Sequence, residues 1–162
     1  MDNGELIKIS DEVIGFSILI PSSWKGLNKE AFAQYGIDPR TLFVFILPDG
    51  NQISVMYDTK CSQEQFEELY NLNINNMRNA GYDIHNEAII NGRGKTIRQA
   101  LVDIKTENGI LRICHNFLII KGYFVNFSGE IDSTIDKQDM EKLMNEKSMM
   151  HLYNLIMSIE EK

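Results

Sequence analysis

The residues able to do chemistry are few and far apart. Three histidines (His85, His115, His151) and two cysteines (Cys61, Cys114) are the soft metal donors and nucleophile partners of the chain. No HExxH, CxxC or HxH spacing links them, so no ligand set of the usual kind is written in the sequence. Cys114 and His115 are adjacent in an apolar run. On a strand they point to opposite faces and share no site. Cys61 opens a predicted helix, where the positive N-terminal end lowers a thiol pKa. It is therefore the best isolated reactive group, although no motif supplies it with a histidine.

Other chemistries fare no better. A serine elbow of the GxSxG type is absent, and Ser22, Ser23 and Ser128 fall in turns or at strand ends. Asp103, Glu107 and Asp132 read as separate, solvated groups at the sheet edge. NGRGKT, Asn91 to Thr96, lacks the GxxxxGK[ST] spacing of a phosphate loop and lies between two strands instead of feeding a helix. No catalytic residue, cofactor or metal is assigned.

The 162 residues suit one domain, and a hydrophobic fraction of 43% is that of a globular chain. A formal net charge of −7 weighs against nucleic-acid backbones as partners, and no Lys/Arg cluster offsets it. The aromatics Phe117, Tyr123, Phe124 and Phe127 lack the basic residues of a base-stacking platform and read as core. No apolar run is long enough to span a membrane. The N-terminus has no basic region followed by an apolar stretch, and the two cysteines read as free thiols. Both features point to a cytoplasmic, reducing setting.

These residues must be held by strands and two principal helices. Strands are predicted over Glu5–Ile9 and Gly15–Ile20, as a hairpin, with Pro21 stopping the second. TLFVFIL, Thr41 to Leu47, is continuously apolar and reads as a strand covered on both faces. The PDGN turn joins it to QISVMY, Gln52 to Tyr57. A short helix is predicted over Leu27–Ile37, with Asn28 as its cap. Ser62 and Gln65 form a capping box that starts a helix ending at Gly81. Its stripe is Phe66, Leu69, Tyr70, Asn73 and Met77, widened by Leu72. Strands over 83–90, 96–105, 110–120 and 123–128 are joined by NGRG, TENG and KG. Such short links force antiparallel neighbours. A last helical stretch, as one helix or two segments, begins at the cap Asp136, with Asp139 at N3. Its methionines, Met140 and Met144 among them, form either a sheet-packing stripe or an adaptable partner groove.

FSILIPSSW brings these elements together. The pattern F-x-I-x-x-P-x-x-W, at Phe16, Ile18, Pro21 and Trp24, precedes a strand hairpin, an amphipathic helix, an antiparallel meander and a C-terminal helix. In motif and element order the chain resembles the Mog1/PsbP-like superfamily, and in particular its small bacterial PsbP-related and DcrB-like members. The inserted segment Leu27–Ile37 has no counterpart in that pattern. The resemblance implies a single α+β domain over residues 1–162, built as one antiparallel sheet flanked by helices in an α/β/α sandwich. It also implies an accessory protein acting through a protein surface more than an enzyme, since superfamily members include a small-GTPase-binding protein and photosystem accessory proteins. The partner is unnamed and includes a second copy of the chain. A small-ligand binder or unrecognised enzyme, and a structural homo-oligomer, stay open beside it. Phe16, Pro21 and Trp24 are expected to be structural, with Trp24 a buried anchor, and Cys61, Met140 and Met144 complete the set of candidate positions.

Overall fold

The computed structural model describes residues 4–162. Its strands are β1 (Leu6–Asp11), β2 (Phe16–Pro21), β3 (Lys25–Gly26), β4 (Thr41–Ile46), β5 (Gln52–Lys60), β6 (Asp83–Gly92), β7 (Lys95–Thr106), β8 (Gly109–Ile120), β9 (Tyr123–Ile131) and β10 (Glu160–Glu161). Its helices are α1 (Gln63–Asn79), α2 (Met140–Met144) and α3 (Lys147–Met157). The fold is α+β, with antiparallel strand pairing throughout.

Where the sequence suggests one sheet, the strands divide into two. β1, β2 and β10 form a three-stranded sheet, and the others form a seven-stranded sheet in the order β3-β4-β5-β9-β8-β7-β6. The alternation in FSILIP explains the split. Phe16, Ile18 and Ile20 are all on one side of β2 and at most 2% exposed. They bury that side face-on against the large sheet, in a core shared with Val55, Leu101, Cys114, Leu118 and Phe127. Leu152, Leu155 and Ile156 of α3 fill the rest of this layer. The opposite face of the large sheet carries Ala100, Phe117 and Phe124, which pack on Phe66, Tyr70 and Ile74 of α1. The large sheet is therefore sandwiched between α1 and a mixed layer of α2, α3 and the small sheet. Among the described residues, no helix is long and apolar enough to cross a membrane.

Local signals explain most boundaries. Ser62 accepts from the Gln65 N–H and Gln65 returns the bond to the Ser62 N–H, so the capping box starts α1. Gly81 ends it with φ +89°, which an L side chain rarely adopts. The buried stripe of α1 is Phe66, Tyr70 and Ile74, whereas Leu72 is exposed. The expected helix over 27–37 is a single 3₁₀ turn, Lys29–Ala31, capped by Asn28 and followed by turns. Phe32 is buried but Tyr35 is 65% exposed, so this segment has no continuous apolar face to hold a helix against the sheet. The last helical stretch is broken after Met144. Asp139 caps α2 and Glu146 caps α3, while Asp136 instead accepts from the Gln138 N–H in a turn.

Candidate functional site

The residues expected to react are shut away. Cys61 precedes the cap of α1 and is 4% exposed. Its thiol faces the Ser62 carbonyl at 3.2 Å, and burial pushes its pKa up. The helix end therefore does not activate it. Cys114 lies in the main core, and burial raises its thiol to about 12. His115 lies on the other face, as strand alternation requires. It stacks on Phe117 with ring centroids 5.9 Å apart, and its Nδ1 is 3.0 Å from Asn126 Nδ2. Burial lowers its pKa to about 4, only partly opposed by Asn126, so the ring is neutral at pH 7.

His85 belongs to a cluster that the sequence pattern does not announce. Asp103 of β7 is not a solvated edge group; it is 6% exposed. Arg112 of β8 holds it with two bonds, Nε to Oδ1 at 2.7 Å and Nη2 to Oδ2 at 3.1 Å. His85 Nε2 approaches the same Oδ1 at 2.9 Å. Burial pushes the Asp103 pKa up, but Arg112 and His85 outweigh it and the net shift is downward. From this cluster two ties reach the segment before α2. Arg112 Nη1 donates to the Ile135 carbonyl at 2.7 Å. Asn86, whose Oδ1 meets His85 Nδ1, donates from Nδ2 to the Lys137 carbonyl at 2.9 Å. Lys137 pairs in turn with Asp83.

The ligand atoms of Asp83, His85 and Asp103 lie within 4.8 Å of one another, a spacing that could hold a metal ion. The surrounding charges argue otherwise. Arg112 already claims both oxygens of Asp103, and Lys137 claims Asp83. A metal cation would meet two fixed cations, so the cluster is a clamp between sheet and loop. A groove of about 870 Å³ lies beside it and is lined by Asp132, Asp136, Asp139, Glu146, Lys142 and Lys147 among others. Its carboxylates serve local backbone: Asp132 accepts from Thr134, Asp136 from Gln138, Asp139 from Lys142 and Glu146 from Ser148.

At the other end of the same layer stands Trp24. Its N–H closes a backbone turn onto the Pro21 carbonyl at 3.1 Å, and Pro21 ends β2 opposite Leu6. The indole is 5% exposed, edge-on to His151 at 5.1 Å and tilted against Phe45 at 6.0 Å. A cleft of about 290 Å³ opens beside it, walled by Leu6, Leu19, Pro21, His151, Asn154 and Leu155, with Ser158 at its base.

No family model matches the chain, and no curated protein matches it in sequence. Solved structures do match in shape. The cyanobacterial PsbP (CyanoP) of Synechocystis sp. PCC 6803 superposes with a TM-score of 0.63 at 12% identity, over 97% of this chain and 92% of that one. The Ran-binding protein Mog1p of Saccharomyces cerevisiae gives 0.56 at 8% identity, over 96% and 95%. A protein of Bacteroides thetaiotaomicron gives 0.59 at 11% identity, over 96% of this chain and 48% of its own length. The chain has the Mog1/PsbP-like fold.

Within the Mog1/PsbP-like fold, the residues picked out from sequence lie in separate places. Phe16 starts β2 and Pro21 ends it, Phe16 and Trp24 both pack in the main core, and Cys61 is buried in the α1 layer. Met140 and Met144 stand outward on α2, 52% and 67% exposed, with Leu143 between them buried. On α3, Met149 packs inward while Met150 and Tyr153 are 49% and 48% exposed.

Proposed function

We propose that this protein is a non-enzymatic accessory or binding protein that works through a protein–protein surface. The observation that carries the reading is the outward side of α2 and α3. Met140, Met144, Met150 and Tyr153 are each about half exposed or more, on two successive helices whose inward sides already fill the core. Flexible thioethers and a tyrosine, exposed save for the Asn86 amide that meets the Met140 sulfur at 3.1 Å, are the composition of an adaptable contact. The buried, unactivated thiols and the self-neutralised clamp give no competing chemistry. Mog1p, of the same fold, is a Ran-binding protein, which supports a protein partner here without naming it. A cytoplasmic setting belongs to this proposal, supported by the two free cysteines.

The test is capture of binding proteins on the immobilised native chain and on a Met140→Glu/Met144→Glu/Tyr153→Glu variant, with the solution mass of each measured. The expected result is a saturable partner held by the native chain and lost by the variant. A dimer mass that falls to monomer in the variant identifies the partner as a second copy. Equal capture and equal mass for both chains would overturn the proposal.

A further inference from the structure

An outer strand keeps one row of backbone N–H and C=O groups unpaired, and proteins ordinarily blunt such an edge with short strands or charged side chains. Among the described residues, the outer strands are β1 and β10 of the small sheet and β3 and β6 of the large one. β3 and β10 are two residues long, and β1 carries the exposed Lys8. β6 is the exception. It runs for 10 residues and pairs with β7 alone, and its stretch Ala88–Gly92 contains no charge and no proline. The bulge between His85 and Ala88 comes before this stretch, whose own register with β7 is unbroken.

The turn that follows β6 fixes which of its groups face outward. Arg93 and Gly94 both have positive φ, +51° and +75°, as in the type I′ turn of a two-residue hairpin. Gly92 and Lys95 flank that turn and are the pair that bond to each other. Alternation then points the N–H and C=O of Ala88 and Ile90 at β7, and those of Ile89 and Asn91 away from the sheet. The Ile89 side chain stands opposite Arg98, on the α1 face, and is 60% exposed. Free backbone groups and an uncovered aliphatic side chain therefore meet at one residue.

We propose that β6 pairs with β6 of a second copy, antiparallel across a two-fold axis at Ile89, so that the two large sheets become one. An antiparallel edge is its own complement, as a two-fold interface requires. Charge selects this occupant. On a chain of net charge −7, Ala88–Gly92 is a strip where two copies meet without facing like charges. Reversal of direction sets Ile89 against Ile89, Ala88 against Ile90, and the Glu87 end of each strand beside Arg93 of the other. Arg93 bonds the Met157 carbonyl and has no carboxylate of its own among the described residues, so its charge is available to that neighbour. These residues are distinct from Met140, Met144, Met150 and Tyr153, and the inference is independent of the proposed function.

Across such an axis the two Ile89 Cα atoms lie about 5.5 Å apart, within the span of a disulfide. The test is therefore Ile89→Cys treated with the thiol oxidant diamide; Cys61 and Cys114 are buried and do not compete. The expected result is a disulfide-linked dimer that Leu72→Cys, at a position 55% exposed on α1, does not form. Sedimentation equilibrium of the native chain should show dimers with a dissociation constant on the order of 100 μM, as fits a small interface. Ile89→Lys brings two ammonium groups together, and Ile89→Pro removes an N–H that β7 does not use. Each is expected to weaken association by about tenfold or more. The Met140→Glu/Met144→Glu/Tyr153→Glu variant should keep the dimer. Equal cross-linking of the two cysteine variants would overturn the proposal, as would a native chain still monomeric at about 1 mM. So would a dimer that survives both Ile89→Lys and Ile89→Pro, or one lost in the triple variant.

Discussion

The two ends of the main layer handle buried polarity in opposite ways. At one end, Asp103, Arg112 and His85 are almost wholly enclosed, and the carboxylate has two partners. At the other, the Trp24 indole N–H is enclosed with none among the described residues. The doubly bonded Asp103–Arg112 pair holds its surroundings in one arrangement: Arg112 and Asn86 tie the Ile135 and Lys137 carbonyls to the sheet. An unsatisfied buried donor holds nothing in place. The first pattern belongs to the frame of the molecule, and the second marks a place where packing outweighs an unpaired donor.

The sharpest way to break this contrast is to remove one partner from the satisfied end. Arg112→Met strands the Asp103 carboxylate and is expected to cost about 3–5 kcal/mol, measured by denaturant unfolding. Adding Asp103→Leu should recover most of that loss, because the pair is costly mainly when halved. At the other end, Trp24→Ala should cost about 3–5 kcal/mol through lost packing. Trp24→Phe should cost only about 1–2 kcal/mol, since no hydrogen bond goes with the indole. A loss as large as that of the alanine variant would reveal a bonded N–H and erase the contrast.

Acidification separates the two faces of the large sheet. His115 is depressed to about 4 in the folded chain against about 6.5 unfolded. Its stabilisation is therefore complete above pH 6.5 and is lost as pH falls toward 4, by up to about 3 kcal/mol. Asp103 is also depressed, so its contribution begins to fall only below about pH 4, where the unfolded carboxyl titrates. Stability measured from pH 7 to 3 should show both losses. His115→Phe should remove the earlier one, and an unchanged slope between pH 6.5 and 4 would exclude His115 as its source. The smallest effect is expected on the outer surface: Met144→Glu should shift stability by no more than about 0.5 kcal/mol, as fits a residue that is 67% exposed.

Much of this architecture is legible in the residues. The capping box of Ser62 and Gln65, Gly81, the PDGN and TENG turns and the alternation of FSILIP each specify a local geometry that the chain adopts. The Asp103–Arg112 pair was within reach too. Once TENG closes a hairpin with Thr106 opposite Gly109, counting back along both strands sets Asp103 opposite Arg112. It was overlooked because an isolated aspartate is ordinarily solvated, and only the loop folded over it excludes water. The two-residue strands β3 and β10 carry no signal of their own; their partners β4 and β2 create them. The exposure of Leu72 and burial of Ile74 depend on how α1 is rotated on the sheet, which the helical period alone leaves open. The Trp24 cleft is formed by β1, β2 and α3 together, so no short stretch of sequence announces it.

The pairing of β10 with β2 has a consequence for how the protein is made. Glu160 and Glu161 bond along Ser17 and Phe16, and the Lys162 N–H donates to the Gly15 carbonyl. The hairpin of β1 and β2 is synthesised before β10, so one side of β2 waits until the long stretch between them has been translated. At about 5–20 residues per second, that wait lasts many seconds on the ribosome. For that time Phe16, Ile18 and Ile20 have neither their neighbouring strand nor the helix that covers them, so the nascent hairpin is the stretch of this chain most in need of a chaperone's shelter.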